Sequence, residues 1–317
     1  MATKFLFYTD IHFAAETPRN RKDDFPQTLL RKQREIYQIA QEEKCDFVAF
    51  GGDYFNFHRV YSFPIIGDTM DIVDSVGVPT YMVIGEHDLY GHNMGSFPNS
   101  TLAFVARRCR NIRILKGPVQ VSNDVWLYPK HETDKVEVMA AFHKQSDFCN
   151  VCLCHELLTP QRNGVFECFN TTDIGPTGFN LVLSGDLHSG YPVHEANNTV
   201  FCNPGSIARR TIADADRMPQ VAIVTIKNGH SAPVITLREL QCAQKGSEVF
   251  EFPEDGQDVT SPYVPVDFTK DLIEIEKHSA DIYEFIKEMA KQNNLPQNVI
   301  DYLFNKREQL KSLHQNA

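Results

Sequence analysis

Five separate apolar runs of strand length each end on a carboxylate or an imidazole, and this recurrence constrains the fold more than any other feature. Asp10-Ile11-His12 follows the run at 5–9, Gly51-Gly52-Asp53 closes the run at 47–51, and Gly85-Glu86-His87-Asp88 follows 80–84. His155 follows 149–154, and Gly185-Asp186-Leu187-His188 follows 180–184. A single Asp or His in such a place is an ordinary cap or turn former. Five in register gather at the carboxyl edge of a sheet, where open α/β sheets collect ligand groups.

Between the first three runs, Leu29, Leu30, Gln33, Ile36, Tyr37 and Ala40, then Ile66, Thr69, Val73 and Val76, keep helical period. Strand, helix, strand, helix, strand implies parallel strands with crossover helices. The later runs, at 119–122, 125–128, 135–140, 199–202, 220–226 and 233–239, are short and partly alternating. The expected fold is therefore α/β: a four-layer αββα sandwich of two mixed sheets, with a C-terminal helical or capping appendage.

Composition narrows the class. A chain of 317 residues that is 42% hydrophobic and 23% charged has apolar material for a large core, which argues against disorder. Its net charge of -10 does not advertise a general nucleic-acid binder, although steering depends on local fields and bound metal can supply positive charge. No apolar stretch has the length of a bilayer span, so no membrane association is expected. Met1-Ala2-Thr3-Lys4 runs straight into the first strand without a cleavable hydrophobic segment, and a cytoplasmic location is expected. The eight cysteines read as free thiols; Cys149, Cys152 and Cys154 lack the second pair that a structural zinc site needs.

The chemistry lies in the strand-end groups. Asp10, His12, Asp53, Glu86, His155, Asp186 and His188 are seven imidazoles and carboxylates, more than one four- to six-coordinate ion uses. Two ions about 3.5–4 Å apart, bridged by a carboxylate and a water, would employ them all, and such a pair clamps phosphate esters for hydrolysis.

In order, these motifs (Asp-x-His, Gly-Asp, Gly-x-His-Asp, a lone His, Gly-x-x-His) resemble the signature of the calcineurin-like metallophosphoesterases over about residues 4–240. Within that superfamily the chain is similar to the SbcD-type DNA nuclease subunits. Gly52-Asp53-Tyr54-Phe55-Asn56, Gly85-x-His87-Asp88, and Asn203-Pro204-Gly205-Ser206 followed by Arg209 carry that likeness. The resemblance implies that Asp10, His12 and His188 hold one ion, that Glu86, His155 and Asp186 hold the other, and that Asp53 bridges. It also implies a catalytic His87 beside the scissile phosphate, oriented by Asp88, and a bridging hydroxide as nucleophile. Manganese is the first expectation for the ions, with Mg, Fe and Zn as the others. Two positions depart from the family pattern: Glu86 stands where Asn is usual, and Asp186 where His is usual. Four ligand carboxylates then offset two divalent ions, which weakens the pull on an anionic phosphate.

The chain divides into a metallophosphoesterase catalytic domain at 1–244, which carries the resemblance, an acidic linker at 245–268 marked by its composition, and a helical tail at 269–317 marked by two apolar stripes, which serves as a cap or binds a partner. The implied partners are DNA, an SbcC-like ATPase subunit docked on the tail, and a second copy in a homodimer. Candidate substrate contacts are His58, Arg107, Arg108, Arg110 and Arg209, with Arg113 and Lys116 extending the basic run, and a further basic stretch covers Arg19, Arg21, Lys22, Arg31, Lys32 and Arg34. The leading expectation is SbcD-like exonuclease or endonuclease activity on DNA. The alternatives are a small-substrate phosphatase or nucleotide phosphodiesterase on the same fold, and a metal-binding scaffold with little activity.

Overall fold

Alternation along the first strand, β1 (Thr3–Tyr8), assigns it to two cores at once: Phe5 and Phe7 face one apolar layer, and Leu6 and Tyr8 the other. In the computed structural model, which describes residues 2–160, 168–174 and 177–252, this strand is central to its sheet. The chain divides into two units, Met1–Phe252 and Pro253–Ala317. The helical stripes expected at 269–317 lie outside the described residues.

The first half winds through β1, α1 (Phe25–Glu42), β2 (Phe47–Phe50), α2 (Phe63–Val76), β3 (Thr80–Met82), α3 (Thr101–Arg108) and β4 (Ile112–Ile114). Local chemistry sets the boundaries. The Asp24 carboxylate accepts from the Gln27 amide at 3.1 Å to cap α1, whose first turn carries Pro26, and Gly77 at φ 70° ends α2. The four strands pair in parallel, as crossover helices require.

A second sheet follows: β5 (Val119–Gln120), β6 (Val125–Lys130), a helical turn α4 (Val138–Ala141), and β7 (Cys149–His155). A two-stranded pair, β8 (Leu158–Thr159) with β9 (Phe169–Asn170), precedes β10 (Leu181–Gly185), β11 (Tyr191–Ala196) and β12 (Thr199–Asn203). The chain then returns to the first sheet with β13 (Gln220–Ile226) and β14 (Val234–Glu239), and adds a short α5 (Gly246–Val249). Strand order is β14-β13-β1-β2-β3-β4 in one sheet and β11-β12-β10-β7-β6-β5 in the other. Both are mixed, because β13 and β14, β5, and β11 join antiparallel.

The inner layer between the sheets packs Phe5, Phe7, Phe47 and Ala49 with Leu127, Val151, Leu153, Leu181 and Leu183. Outside the first sheet lie α1, α2 and α3; outside the second, Tyr128, Cys152 and Val182 pack with Met139 of α4 and Phe179. This is the four-layer αββα arrangement.

Two expectations change. The run at 135–140 is not a strand: Val136 and Met139 point inward three residues apart, and successive turns lead into α4. Residues 245–250, the start of the expected acidic linker, lie against the first unit's own body, with Val249 and Phe250 buried beside Ala215. The Val249 carbonyl accepts from the Lys22 amide at 2.9 Å. The cysteines of the 149–154 run are buried strand residues with free thiols. No helix among the described residues is long and apolar enough to cross a membrane.

The inner layer yields a stability test. Phe47 stacks on Phe5 with centroids 4.5 Å apart and meets Tyr81 edge-on at 5.7 Å. Phe47→Ala should cost about 3–5 kcal/mol, read as a lowered urea midpoint with an unchanged slope.

Candidate metal centre

Every strand-end group expected to hold metal comes from the carboxyl end of a parallel strand: Asp10 and His12 after β1, Asp53 after β2, Glu86 after β3, His155 ending β7, and Asp186 and His188 after β10. The two sheets thereby bring their ligand edges together. Asp10, His12 and His188 form one group whose donor atoms lie within 4.8 Å of one another, and Glu86, His155 and Asp186 form a second.

Asp53 stands between them. Its Oδ1 accepts from the His87 amide at 2.9 Å, while its Oδ2 is buried with no hydrogen-bond partner. Around Oδ2 lie three imidazole nitrogens: His12 Nε2 at 3.6 Å, His155 Nε2 at 3.7 Å and His87 Nε2 at 3.9 Å. A carboxylate oxygen buried without a donor is costly unless a cation meets it. His12 Nε2 also sits 3.0 Å from His188 Nε2, and burial, then His87 and His188, holds the His12 imidazole well below its usual pKa. Imidazoles converging on orphaned carboxylate oxygen are the donor set of a divalent ion, and two such sets share Asp53.

The backbone is bent to present these groups. Asp10 at φ 52°, His12 at 46°, Asp53 at 58° and Asp186 at 79° all occupy left-handed conformations, which cost side-chain-bearing residues free energy and cluster at functional sites. Two glycines make room. A Cβ on Gly52, itself at φ 104°, would stand 2.4 Å from His155 Nδ1, and one on Gly85 would stand 2.1 Å from Asp53 Oδ1.

Groups behind the ligands set their aim. His155 Nδ1–H donates to the Gly51 carbonyl at 2.8 Å, which turns Nε2 toward the centre. Asp10 accepts from Thr9 Oγ1 at 2.6 Å and from the Asp186 amide at 3.2 Å, tying the two ligand turns together. The orienting contact on His87 differs from expectation: its Nδ1–H donates to the Asn56 carbonyl at 2.8 Å. Asp88 instead accepts backbone N–H groups of Asp53, Tyr54, Phe55 and Gly85 at 3.1–3.4 Å, so it clamps the β2 and β3 ligand loops to each other.

The departing carboxylates sit in the second group. Glu86 Oε2 is 2.8 Å from His155 Nε2, and that contact holds the Glu86 carboxyl below its usual pKa even though burial opposes it. Burial alone would lower the His155 pKa, yet Asp53 and Glu86 carry it well above the ordinary value. Burial, then Glu86, pushes both Asp53 and Asp186 well above the usual carboxylate range.

The basic candidates are not delivered here. Arg107 and Arg108 end α3, Arg110 precedes β4 and Arg113 is its middle residue; all are exposed. Since β4 runs parallel to β3 and pairs Ile112 with Thr80, this run lies at the amino end of the sheet, opposite the ligands. Arg209 is buried and donates to the Ala215 carbonyl at 3.3 Å, the Arg217 carbonyl at 3.2 Å and the Gln244 carbonyl, so it is structural. His58 lies beside Tyr90, with ring centroids 5.1 Å apart.

Two members of the other basic stretch are buried as well. Lys32 Nζ donates to the Ile207 carbonyl at 2.7 Å, Arg217 Nη2 to the Ala208 carbonyl at 3.1 Å and Arg21 Nη1 to the Arg209 carbonyl at 2.9 Å. Three consecutive carbonyls are thus capped by three cations from different parts of the chain. Amides of the same segment reach back, Ile207 to the Thr9 carbonyl at 3.1 Å and Ala208 to the Asp10 carbonyl at 3.2 Å, so the cations brace the Asp10 turn. One signal was available: Lys32 falls on the helix face of Leu29, Gln33 and Ile36, which a solvated lysine avoids.

The model for calcineurin-like phosphoesterases matches residues 3–190. The chain belongs to that family. No curated protein matches it. Among solved structures, the chain is similar to a purple acid phosphatase from yellow lupin seeds, at 12% identity and TM-score 0.50, over 75% of this chain and 52% of that one. It is also similar to a dimetal phosphatase from Danio rerio, at 11% identity and TM-score 0.47, over 74% and 98% of the two chains. A protein from Thermus thermophilus aligns at 10% identity and TM-score 0.47, over 75% and 99%. The donor set, fold and family together make this a binuclear metal site suited to metal-dependent phosphoester hydrolysis.

Gly85→Ala should drive a methyl group into the Asp53 carboxylate, and elemental analysis should find less than one ion per chain in place of two. The pH dependence has a defined sign. Metal must displace protons from Asp53, Asp186 and His155, all with raised pKa, so affinity falls as pH drops through those values. The rise in Tm on adding Mn²⁺ should be larger at about pH 8 than at about pH 5.5, by differential scanning calorimetry.

Proposed function

We propose that this chain hydrolyses phosphodiesters of the nucleotide class with two divalent ions, manganese first among them, and that a DNA end is the leading substrate. The observation that carries the reading is the buried, unpartnered Asp53 Oδ2 ringed by His12, His155 and His87 nitrogens. Bound ions supply a water-derived nucleophile at neutral pH and positive charge at the phosphate. Asp53 spans the two ligand groups and keeps them in register. His87 has its Nδ1–H committed to the Asn56 carbonyl, so Nε2 faces the centre, and when the ring is protonated it is this Nε2–H that gives its proton to the leaving oxygen, leaving neutral imidazole. Glu86 and Asp186 add negative charge, which favours binding of hard ions and tempers attraction of the substrate anion.

The DNA form of the proposal rests on the SbcD resemblance, and the SbcC-like ATPase partner and the homodimer belong to it, supported by the apolar stripes of residues 269–317. One observation favours a nucleotide phosphodiesterase instead: the basic run at 107–113 stands at the sheet edge away from the ligands, and Arg209 is buried.

With Mn²⁺ loaded, His87→Ala should keep two ions per chain and lose roughly 10²–10⁴ in rate on a simple phosphodiester. Loss of an ion would put His87 among the ligands and remove its role as proton donor. Cleavage that accelerates with oligonucleotide length selects the nuclease reading, and equal rates on a dinucleotide select the smaller substrate.

A further inference from the structure

Nine large hydrophobic side chains are exposed among the described residues, and five of them, Phe57, Tyr61, Phe63, Tyr90 and Phe104, come from the segments 57–63 and 90–104 that follow Asp53 and His87. Two chain segments, joined by the His58–Tyr90 contact, thus carry most of the exposed aromatic surface, and exposed apolar surface of this kind marks a contact site. Phe57 is 53% exposed and follows Asn56, whose carbonyl holds the His87 ring. Tyr90 is 68% exposed, lies three residues beyond His87, and leans on His58 at 5.1 Å with an interplanar angle of 55°.

The backbones beneath these rings are held in place. Asn56 N–H donates to the Phe13 carbonyl at 2.9 Å, Thr101 N–H to the His58 carbonyl at 2.7 Å, and Tyr90 N–H to Ser96 Oγ at 2.8 Å. The main chain that carries these rings is therefore held in place, so binding has only side chains left to order.

Charge argues for what they meet. Four ligand carboxylates, Asp10, Asp53, Glu86 and Asp186, formally offset two divalent ions, so the centre draws an anion weakly. The 107–113 arginines lie at the other sheet edge. With little net charge at the centre, the organic part of a phosphate ester is a further source of affinity, and the segments that follow Asp53 and His87 expose aromatic rings alongside the single cation Arg59. We propose that Phe57 and Tyr90, with His58 supporting the Tyr90 ring, form a stacking platform for the nucleobase beside the scissile phosphate. This deepens the proposed function, and rests on it for the position of the phosphate.

The test compares adenosine 5′-monophosphate with ribose 5-phosphate, which differ only in the base, binding to the Mn²⁺-loaded full chain by calorimetry. The nucleotide should bind more tightly by roughly 5- to 150-fold, the range for one base stacked on an aromatic ring. Tyr90→Ala and Phe57→Ala should each reduce that ratio by about threefold or more. Tyr90→Phe should preserve it, and two ions should remain in all three variants. Equal binding of the two ligands by the wild type would overturn the platform, as would a large ratio that neither alanine variant changes. Absence of phosphodiesterase activity with the ratio intact would sink the proposed hydrolysis and leave the platform standing. Activity with a ratio near one would do the reverse.

Discussion

A carboxylate oxygen buried among imidazoles, with no proton donor of its own, is the arrangement on which the rest of this structure depends. Asp53 Oδ2 cannot be stable there unless a cation completes it. Everything around it keeps the cation's place: strained backbone at Asp10, His12, Asp53 and Asp186, glycines where a methyl group would intrude, and carbonyls that point imidazoles inward. Two sheets are needed because no single sheet edge carries seven ligands within reach of one point.

Much of the supporting structure is electrostatic and lies behind the ligands. Asp88 gathers backbone N–H groups from two loops, and its burial pushes its pKa up to about 7. Lys32, Arg21 and Arg217 cap consecutive carbonyls of the segment that braces Asp10. Burial, then Arg209, Arg21 and Arg217, drives the Lys32 pKa well below that of a free lysine. Cations placed this way face carbonyl dipoles rather than phosphate, which is why local positive charge in this sequence is a poor guide to where nucleic acid would run.

The family relationship accounts for the fold, and the donor groups of this chain include four carboxylates, Asp10, Asp53, Glu86 and Asp186. Glu86 and Asp186 bring the ligand charge to parity with two divalent ions. Such a centre holds hard metals well and has less charge left for its substrate. Binding energy beside the metals is then useful, and the exposed rings of the segments that follow Asp53 and His87 are where we propose this surface offers it.

Sequence by itself determined the layer architecture, because β1, β2, β3, β7 and β10 are apolar on both faces and only a sandwich with helices outside buries them so. It also marked the ligands, since a carboxylate or imidazole after each such strand has one edge at which to collect. Only the tertiary structure decided what depends on partners distant in the chain. It sent Lys32, Arg21 and Arg209 inward and the 107–113 arginines to the far edge. It also assigned Asp88 to backbone clamping rather than to the His87 ring. A charged side chain has the same local pattern whether water, a carbonyl or a phosphate receives it, and the receiver is set by contacts that can be nearly two hundred residues away, as in the pairing of Arg21 with the Arg209 carbonyl.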